Sequence, residues 1–291
     1  MFSQFFGNYL LENKKITAEQ FSSCMKYIMT NRVKLGLIAE NEGLLTGKQA
    51  TELNQLQMQT DKRFGDLAVE KGYLTESDVS YLLGLQGNPY LIFIQALEEN
   101  GYLSRTEIEG CLTSFQKDYG YSNTVMAAIR DGNIEQMLPA FVEAEDTRYR
   151  DLIGLTLRNI VRFVSSYIRI EKGSFVTSLP AKYAALQHTH GDTDGFLGFS
   201  CDNEDILVIA DGYAKETFDT VDEDALDSVC EFTNCVNGLY AAELSYRDIN
   251  IDMLPPEILF DTTLSNDNKF FVLPLYIEEK KINLVIYIDN N

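Results

Sequence analysis

The pattern of apolar and polar positions divides the chain into a helical first part and a second part that mixes helices with strands. In the first part, one apolar pattern occurs four times at a spacing of 29 residues, beginning at Phe6, Leu35, Phe64 and Phe93. Every copy ends in a hydroxyl residue followed three positions later by an amide or carboxyl residue, the spacing of a capping box. These pairs are Thr17 and Gln20, Thr46 and Gln49, Thr75 and Asp78, and Ser104 and Glu107. The sequence therefore predicts four helix-turn-helix units in an all-α domain over residues 1–116.

The segment 117–145 joins the two parts. A short predicted helix ends at Gly132, and Pro139 marks a break further on. The pattern is compatible with a helical linker and equally with an extension of the first domain.

The second part, residues 146–291, begins with a long amphipathic helix predicted over 146–170. Alternating apolar positions then predict strands at 174–177, 181–189, 195–201 and 205–210, and, after another helix, at 250–253, 269–277 and 282–288. The last two strands are joined as a hairpin. Two long helices and a mainly antiparallel sheet indicate an α+β domain.

The second of these helices is predicted over 220–240, with Thr220 and Glu223 at capping-box spacing. Its apolar side is expected to be buried and consists of Ala225, Leu226, Val229, Phe232, Thr233, Val236, Leu239 and Tyr240. On the opposite side lies a row that we call the ridge, made of Asp227, Glu231, Asn234 and Gly238. A solvated face and a docking surface are both compatible with the ridge. Asn and Gly are poor helix formers, which favours the docking surface.

Charge and composition exclude several classes of function. The formal net charge is −20, of which −4 falls in residues 1–116 and −16 in residues 117–291. Extended nucleic-acid binding needs cationic neutralisation of phosphates and is therefore not expected. Residues 1–15 lack a leader pattern and no apolar run is long enough to span a bilayer, so we expect a cytoplasmic protein without membrane insertion. The five cysteines are scattered and are expected to be reduced thiols.

Metal-ligating side chains alternate along the chain at His188, His190, Asp192 and Asp194. In an extended strand these four side chains would face one way. Gly191 and Gly195 favour a turn instead, and no bound metal is expected.

The ridge resembles the signature of the CheX/CheC/FliY phosphatases, which remove the phosphoryl group from the aspartyl phosphate of chemotaxis response regulators. The matching residues are Glu231-x-x-Asn234, Asn237-Gly238 and Pro255, a little over twenty residues on. A single E-x-x-N copy is the CheX-like arrangement, whereas the proline lies one residue closer than is usual. The resemblance implies that Asn234 positions the attacking water and Glu231 pairs with a receiver lysine, with Asp227 and Gly238 in docking. It also implies a Mg²⁺ ion held by the receiver rather than by this chain, and a possible homodimer.

The second and third repeats resemble the paired motif of the MshEN domain, a cyclic-di-GMP-binding module. The two motifs run from Lys34 to Gln57 and from Arg63 to Gln86, 24 residues each. The resemblance implies that these four end residues contact the nucleotide. Ala50 and Asn54 stand where the family has leucines, and a helical repeat used only for protein contacts is the alternative.

Together these patterns predict a receiver-domain phosphatase with an N-terminal sensory module. The alternative is a non-catalytic receptor or scaffold that binds a nucleotide or protein partner through its repeats.

Overall fold

The structure, a computed structural model, describes residues 1–60 and 62–289. It divides the chain into two compact units, of which the first spans Phe2–Gly120 and the second begins at Tyr121. Residues 121–145, most of the segment predicted to join the two parts, therefore group with the second unit. Every described helix is too short or too polar to cross a lipid bilayer.

Over the described residues, the first unit consists of helices. They are α1 (Phe2–Glu12), α2 (Ala18–Thr30), α3 (Leu35–Asn41), α4 (Gly47–Thr60), α5 (Phe64–Glu70), α6 (Glu76–Gly84), α7 (Pro89–Glu99) and α8 (Arg105–Asp118). The second helix of each pair starts 29 residues after its predecessor, at 18, 47, 76 and 105. The four predicted helix-turn-helix units are confirmed.

The capping boxes explain why the second helix of each pair begins where it does. In the units of Thr17, Thr75 and Ser104, the cap hydroxyl accepts a hydrogen bond from the backbone N–H of the residue three positions on. The side chain of that residue accepts a hydrogen bond from the backbone N–H of the cap residue. Thr46 and Gln49 exchange the same two bonds at 2.9 and 3.4 Å. Each pair thereby satisfies N–H groups that the first turn of a helix leaves without partners.

The turn before each cap needs a residue with positive φ. Gly43, Gly72 and Gly101 fill this position with φ of 69°, 68° and 67°, and Lys14 fills it in the first unit with φ of 53°. A side chain in the left-handed region is unfavourable, so the glycines suit this turn better than Lys14 does.

The second unit is an α+β fold, as predicted. Its helices are α9 (Asn123–Asp131), α10 (Ile134–Met137), α11 (Thr147–Phe163), α12 (Leu207–Ala214) and α13 (Glu223–Ser245), with short 3-10 helices at Leu138–Ala140 and Glu204–Ile206. Its strands are β1 (Ile168–Ile170), β2 (Ser174–Gly191), β3 (Gly195–Cys201), β4 (Ile251–Met253), β5 (Glu257–Ile277) and β6 (Lys280–Ile288).

The strands form one sheet in the order β1-β5-β6-β3-β2-β4, and all pairings are antiparallel. β5 also pairs with β2, from Ser174 opposite Val272 to Leu186 opposite Glu257. β2, β3, β6 and β5 therefore form a closed circuit. The small apolar cluster of Ala184, Phe196 and Phe270 packs on the side of the sheet opposite Gln187 and Phe199, because side chains alternate along a strand.

Several predicted elements were wrong in type or extent. The helix predicted over 146–170 ends at Phe163, since Ile168–Ile170 pair with Leu275–Ile277 as a strand. The strand predicted over 205–210 is helical instead: the side chain of Asn203 accepts from the backbone N–H of Asp205 and starts a helical turn. A short apolar run alone does not distinguish a buried helix from a strand.

The long strands were underestimated. β2 continues through Pro180, which lies opposite Thr263, and β5 starts at Glu257 rather than at 269. The first half of β5 is rich in polar residues with low strand propensity, so only its pairing with β2 identifies it as a strand.

Candidate functional site

Helix α13 carries the ridge, and its first residue differs from the prediction. It begins at Glu223 because Asp222 is the N-cap, whose carboxylate accepts from the backbone N–H of Ala225 at 3.0 Å. Thr220 therefore does not cap the helix, and the predicted capping box is wrong. The helix also continues past Tyr240 to Ser245.

The buried side of α13 fixes the rotation of the helix against the sheet. Phe232 lies with its ring 5.8 Å from that of Phe199 on β3 and 5.3 Å from that of Tyr213 on α12. The predicted apolar residues are buried, with one exception: Leu239 is 42% exposed. The helix is held by a face that lies directly opposite the ridge.

This rotation places the ridge on the outside of the unit. Asp227, Glu231 and Asn234 are exposed, and Gly238 is partly exposed. A Cβ atom added at Gly238 would lie 3.8 Å from Cε of Met253, an ordinary van der Waals distance. An acid, a second acid, an amide and an almost bare backbone position thus follow one another along an accessible helix surface.

The amide of Asn234 is held from below by a buried glutamine. Gln187 of β2 is 1% exposed, and its Nε2 donates to Oδ1 of Asn234 at 2.8 Å and to the carbonyl of Leu254 at 2.9 Å. Its Oε1 accepts from Nδ2 of Asn237 at 2.9 Å. Gln187 was not among the predicted site residues; its one signal in the sequence is a polar side chain in register with Tyr183 and Ala185, both buried, on a predicted strand.

A phenol lies beside the ridge. Burial raises the pKa of Tyr213 on α12, and the nearby Cys235 thiol and Glu231 carboxylate raise it further. The tyrosine therefore stays protonated at neutral pH and borders the site as a neutral, partly buried ring.

The alternating His188, His190, Asp192 and Asp194 do not converge. Nδ1 of His190 lies 2.8 Å from Oδ1 of Asp194, whereas the carboxylate of Asp192 accepts from the backbone N–H of Asn250 at 2.7 Å. Within residues 1–60 and 62–289 no three His, Cys, Asp or Glu side chains are grouped closely enough to hold a metal ion.

In the first unit, a cavity of about 600 Å³ brings together three of the four residues expected to contact a nucleotide. Lys34, Gln57 and Arg63 line it, together with apolar residues that include Val79 and Leu83. Nζ of Lys34 also lies 2.5 Å from a carboxylate oxygen of Glu99. Gln86 lies outside the lining, and its Nε2 donates to the carbonyl of Val33 at 3.0 Å.

Comparison with known proteins finds a similarity for the second unit. Solved structures that resemble it include a CheX chemotaxis protein from Desulfovibrio desulfuricans (12% identity, 47% of this chain and 96% of that one, TM-score 0.42). A CheC-like superfamily protein from Shewanella sp. PV-4 gives 19% identity, 50% and 100% coverage and a TM-score of 0.45. The CheX–CheY–BeF3–Mg²⁺ complex from Borrelia burgdorferi has 18% identity, covers 49% of this chain and 97% of that one, and gives a TM-score of 0.42.

No curated protein sequence matches the chain significantly. The model of the family described as "Chemotaxis phosphatase CheX" matches residues 183–275. This segment includes Gln187 on β2 and the whole of α13 with its ridge. The part of the chain that carries Glu231 and Asn234 is thus similar to the CheX chemotaxis phosphatases.

Proposed function

We propose that the chain is a phosphatase for the aspartyl phosphate of a response-regulator receiver domain, in whose catalytic site Asn234 acts on the attacking water and Glu231 binds the receiver. The observation that carries the proposal is the place of these two side chains. They lie one turn apart on the exposed side of α13, inside the segment that matches the CheX family. A protein of this kind acts in the cytoplasm, where two-component receivers are found.

Hydrolysis of an aspartyl phosphate depends more on the position of the attacking water than on a strong base. An aspartyl phosphate is an activated acyl phosphate, so hydrolysis needs one water in line with the bond that breaks. Asn234 meets this demand because its side chain is exposed while its Oδ1 is held by Gln187. An amide in a fixed orientation directs a water without changing its own protonation state.

Glu231 serves the complex rather than the water. Its exposed carboxylate lies one turn before Asn234 and is free to pair with a cationic side chain of the receiver. Asp227 lies one turn further back, and Gly238 one turn beyond Asn234, so both fall within the surface that a docked receiver would cover. The receiver, rather than this chain, would hold the Mg²⁺ ion that neutralises the phosphoryl oxygens.

The test is the rate of dephosphorylation of a panel of phosphorylated receivers from the same organism. Wild-type protein and Asn234→Ala are compared, with Asn268→Ala as a matched control on the exposed part of β5. We expect wild type and the control to accelerate hydrolysis of at least one receiver, and Asn234→Ala to lose roughly 100-fold or more while still binding it. Binding without acceleration by wild type would instead favour the non-catalytic scaffold.

A second function is favoured by the cavity of the first unit, for which we propose cyclic di-GMP as the ligand. Lys34 and Arg63 supply positive charge beside Gln57 and an apolar wall, a combination suited to two phosphates and a planar base. Titration calorimetry tests this with Arg63→Ala and, as a control, Arg32→Ala, whose side chain lies outside the lining. Binding that survives Arg63→Ala, or no binding by wild type, would leave the repeats as a protein-contact module.

A homodimer is also part of the proposal, by likeness to CheX proteins. Light scattering across a range of protein concentrations tests it, and a constant monomer mass would remove it.

A further inference from the structure

The buried side chain of Gln187 connects the proposed site on α13 to the sheet. Its side chain lies on the helix-facing side of β2 and is almost fully buried. A buried amide is costly unless its donors and acceptor are satisfied. Both N–H groups of Gln187 are used, on Asn234 and Leu254, and its oxygen accepts from Asn237.

The carbonyl of Leu254 determines how the side-chain amides of this network are oriented. The Leu254 carbonyl accepts only, so the nitrogen of Gln187 must face it at 2.9 Å. The same nitrogen faces Asn234 at 2.8 Å, so Asn234 must present its oxygen inward. The nitrogen of Asn234 is then left on the outer side of the ridge.

We propose that Gln187 is a positioning residue that fixes the amide of Asn234 with Nδ2 directed outward. This rests on the proposed function, in which Asn234 directs the attacking water. Two donor hydrogens are thereby offered at a constant place to the oxygen of the attacking water and to the phosphoryl oxygens beside it. A freely rotating amide would spend part of its time with its oxygen facing the phosphoryl oxygens, which is repulsive.

The first test exchanges the donor for an acceptor without changing size. In Gln187→Glu, an oxygen replaces the nitrogen that faces both Leu254 and Asn234. If that oxygen carries a proton, the proton goes to the Leu254 carbonyl, so in either protonation state a lone pair faces Asn234 and its amide turns with Nδ2 inward. We expect kcat for receiver dephosphorylation to fall roughly 10- to 100-fold, with KM changed by less than about 2-fold. Gln187→Met is neutral and of similar length. It leaves the Asn234 amide free to rotate and is also expected to lower kcat. Gln136→Glu, exposed on α10, is the matched charge control and should leave both constants unchanged.

The second test does not depend on activity. In wild type, the side-chain N–H protons of Gln187 should exchange slowly with solvent by NMR, whereas those of Asn234 should exchange fast. Gln187→Glu should slow exchange of one Asn234 proton, because Nδ2 then donates to the new carboxyl oxygen. Slow Asn234 exchange in wild type, or no change in Gln187→Glu, would overturn the inference.

The two proposals fail in different ways. If wild type accelerates no receiver, the phosphatase proposal fails while the exchange experiment still reports the amide orientation. If wild type is active and both folded Gln187 variants keep its kcat, the positioning role is excluded and the phosphatase stands. Far-UV circular dichroism and urea unfolding establish which variants are folded.

Discussion

Glu231 and Asn234 leave α13 on the same exposed side, yet only Asn234 is anchored to the sheet, through the buried Gln187. Among the described residues no hydrogen bond or ion pair holds the carboxylate of Glu231. The amide is preorganised, whereas the carboxylate can adjust to a partner. This difference separates the expected roles into one in the reaction and one in binding.

Glu231→Gln should therefore weaken receiver binding more than turnover. We expect KM to rise about 10-fold and kcat to change by less than about 3-fold, since a neutral amide keeps the shape but loses the charge. The rise should shrink as salt is added, because screening weakens the wild-type pair. Steady-state kinetics at several ionic strengths measure both constants, with Glu243→Gln on another side of α13 as control. A loss of kcat of about 10-fold at unchanged KM would place Glu231 in the reaction instead.

Gly238→Ala should separate stability from docking. The new methyl group meets Cε of Met253 at 3.8 Å, so the fold accommodates it. Replacing a glycine inside a helix raises the free energy of unfolding by about 0.5–1 kcal/mol. If the ridge is a docking surface, the same methyl group should weaken receiver binding. Urea unfolding and a binding titration measure the two effects, and a variant that is stabilised with unchanged affinity would remove Gly238 from the interface.

The ridge was predictable because apolar and polar residues follow the helical period along the whole of α13. Phe232 and Val236 on one side and Glu231 and Asn234 on the other follow from 100° per residue, and tertiary packing agrees with it. Leu239 departs from the pattern because it lies at the edge of the buried arc, where nothing covers it fully.

Gln187 was not predictable in the same way. Both faces of β2 near it are buried, as Ala184, Ala185 and Leu186 show, so a period of two does not single out the helix-facing side. Its contact with Asn234 also joins residues 47 positions apart. A contact of that kind depends on the register between a strand and a helix, which no local pattern encodes.

Asp222→Ala should destabilise the unit that carries the ridge, whereas Thr220→Ala should not. Asp222 satisfies the N–H of Ala225 and places a negative charge at the positive end of α13. Loss of such a cap costs about 1 kcal/mol. Thr220 lies outside the helix, so its replacement should change the free energy of unfolding by less than about 0.5 kcal/mol. Paired urea titrations measure the difference, and equal losses would restore the capping box at Thr220.

Tyr240→Phe should remove a loss of stability at alkaline pH that arises from a residue of the same helix. Tyr240 is 6% exposed, its hydroxyl has no hydrogen-bond partner among the described residues, and burial raises its pKa from 10.0 to about 12. The Arg148 guanidinium opposes this increase and Asp146 adds to it. Because the folded-state pKa is raised, the free energy of unfolding keeps its full value below pH 10.0 and falls as pH rises towards 12.

The unfolded chain ionises in this window while the folded protein keeps its proton, so unfolding becomes more favourable by up to about 3 kcal/mol. Tyr240→Phe should lack this loss and, at neutral pH, be more stable by about 1 kcal/mol, since a buried unsatisfied hydroxyl disappears. Tyr246→Phe is the matched control, because that ring ends the same helix and is 92% exposed. Urea unfolding between pH 8 and pH 12 measures all three proteins. If wild type and Tyr240→Phe decline in parallel above pH 10, the Tyr240 hydroxyl is satisfied and its pKa is ordinary.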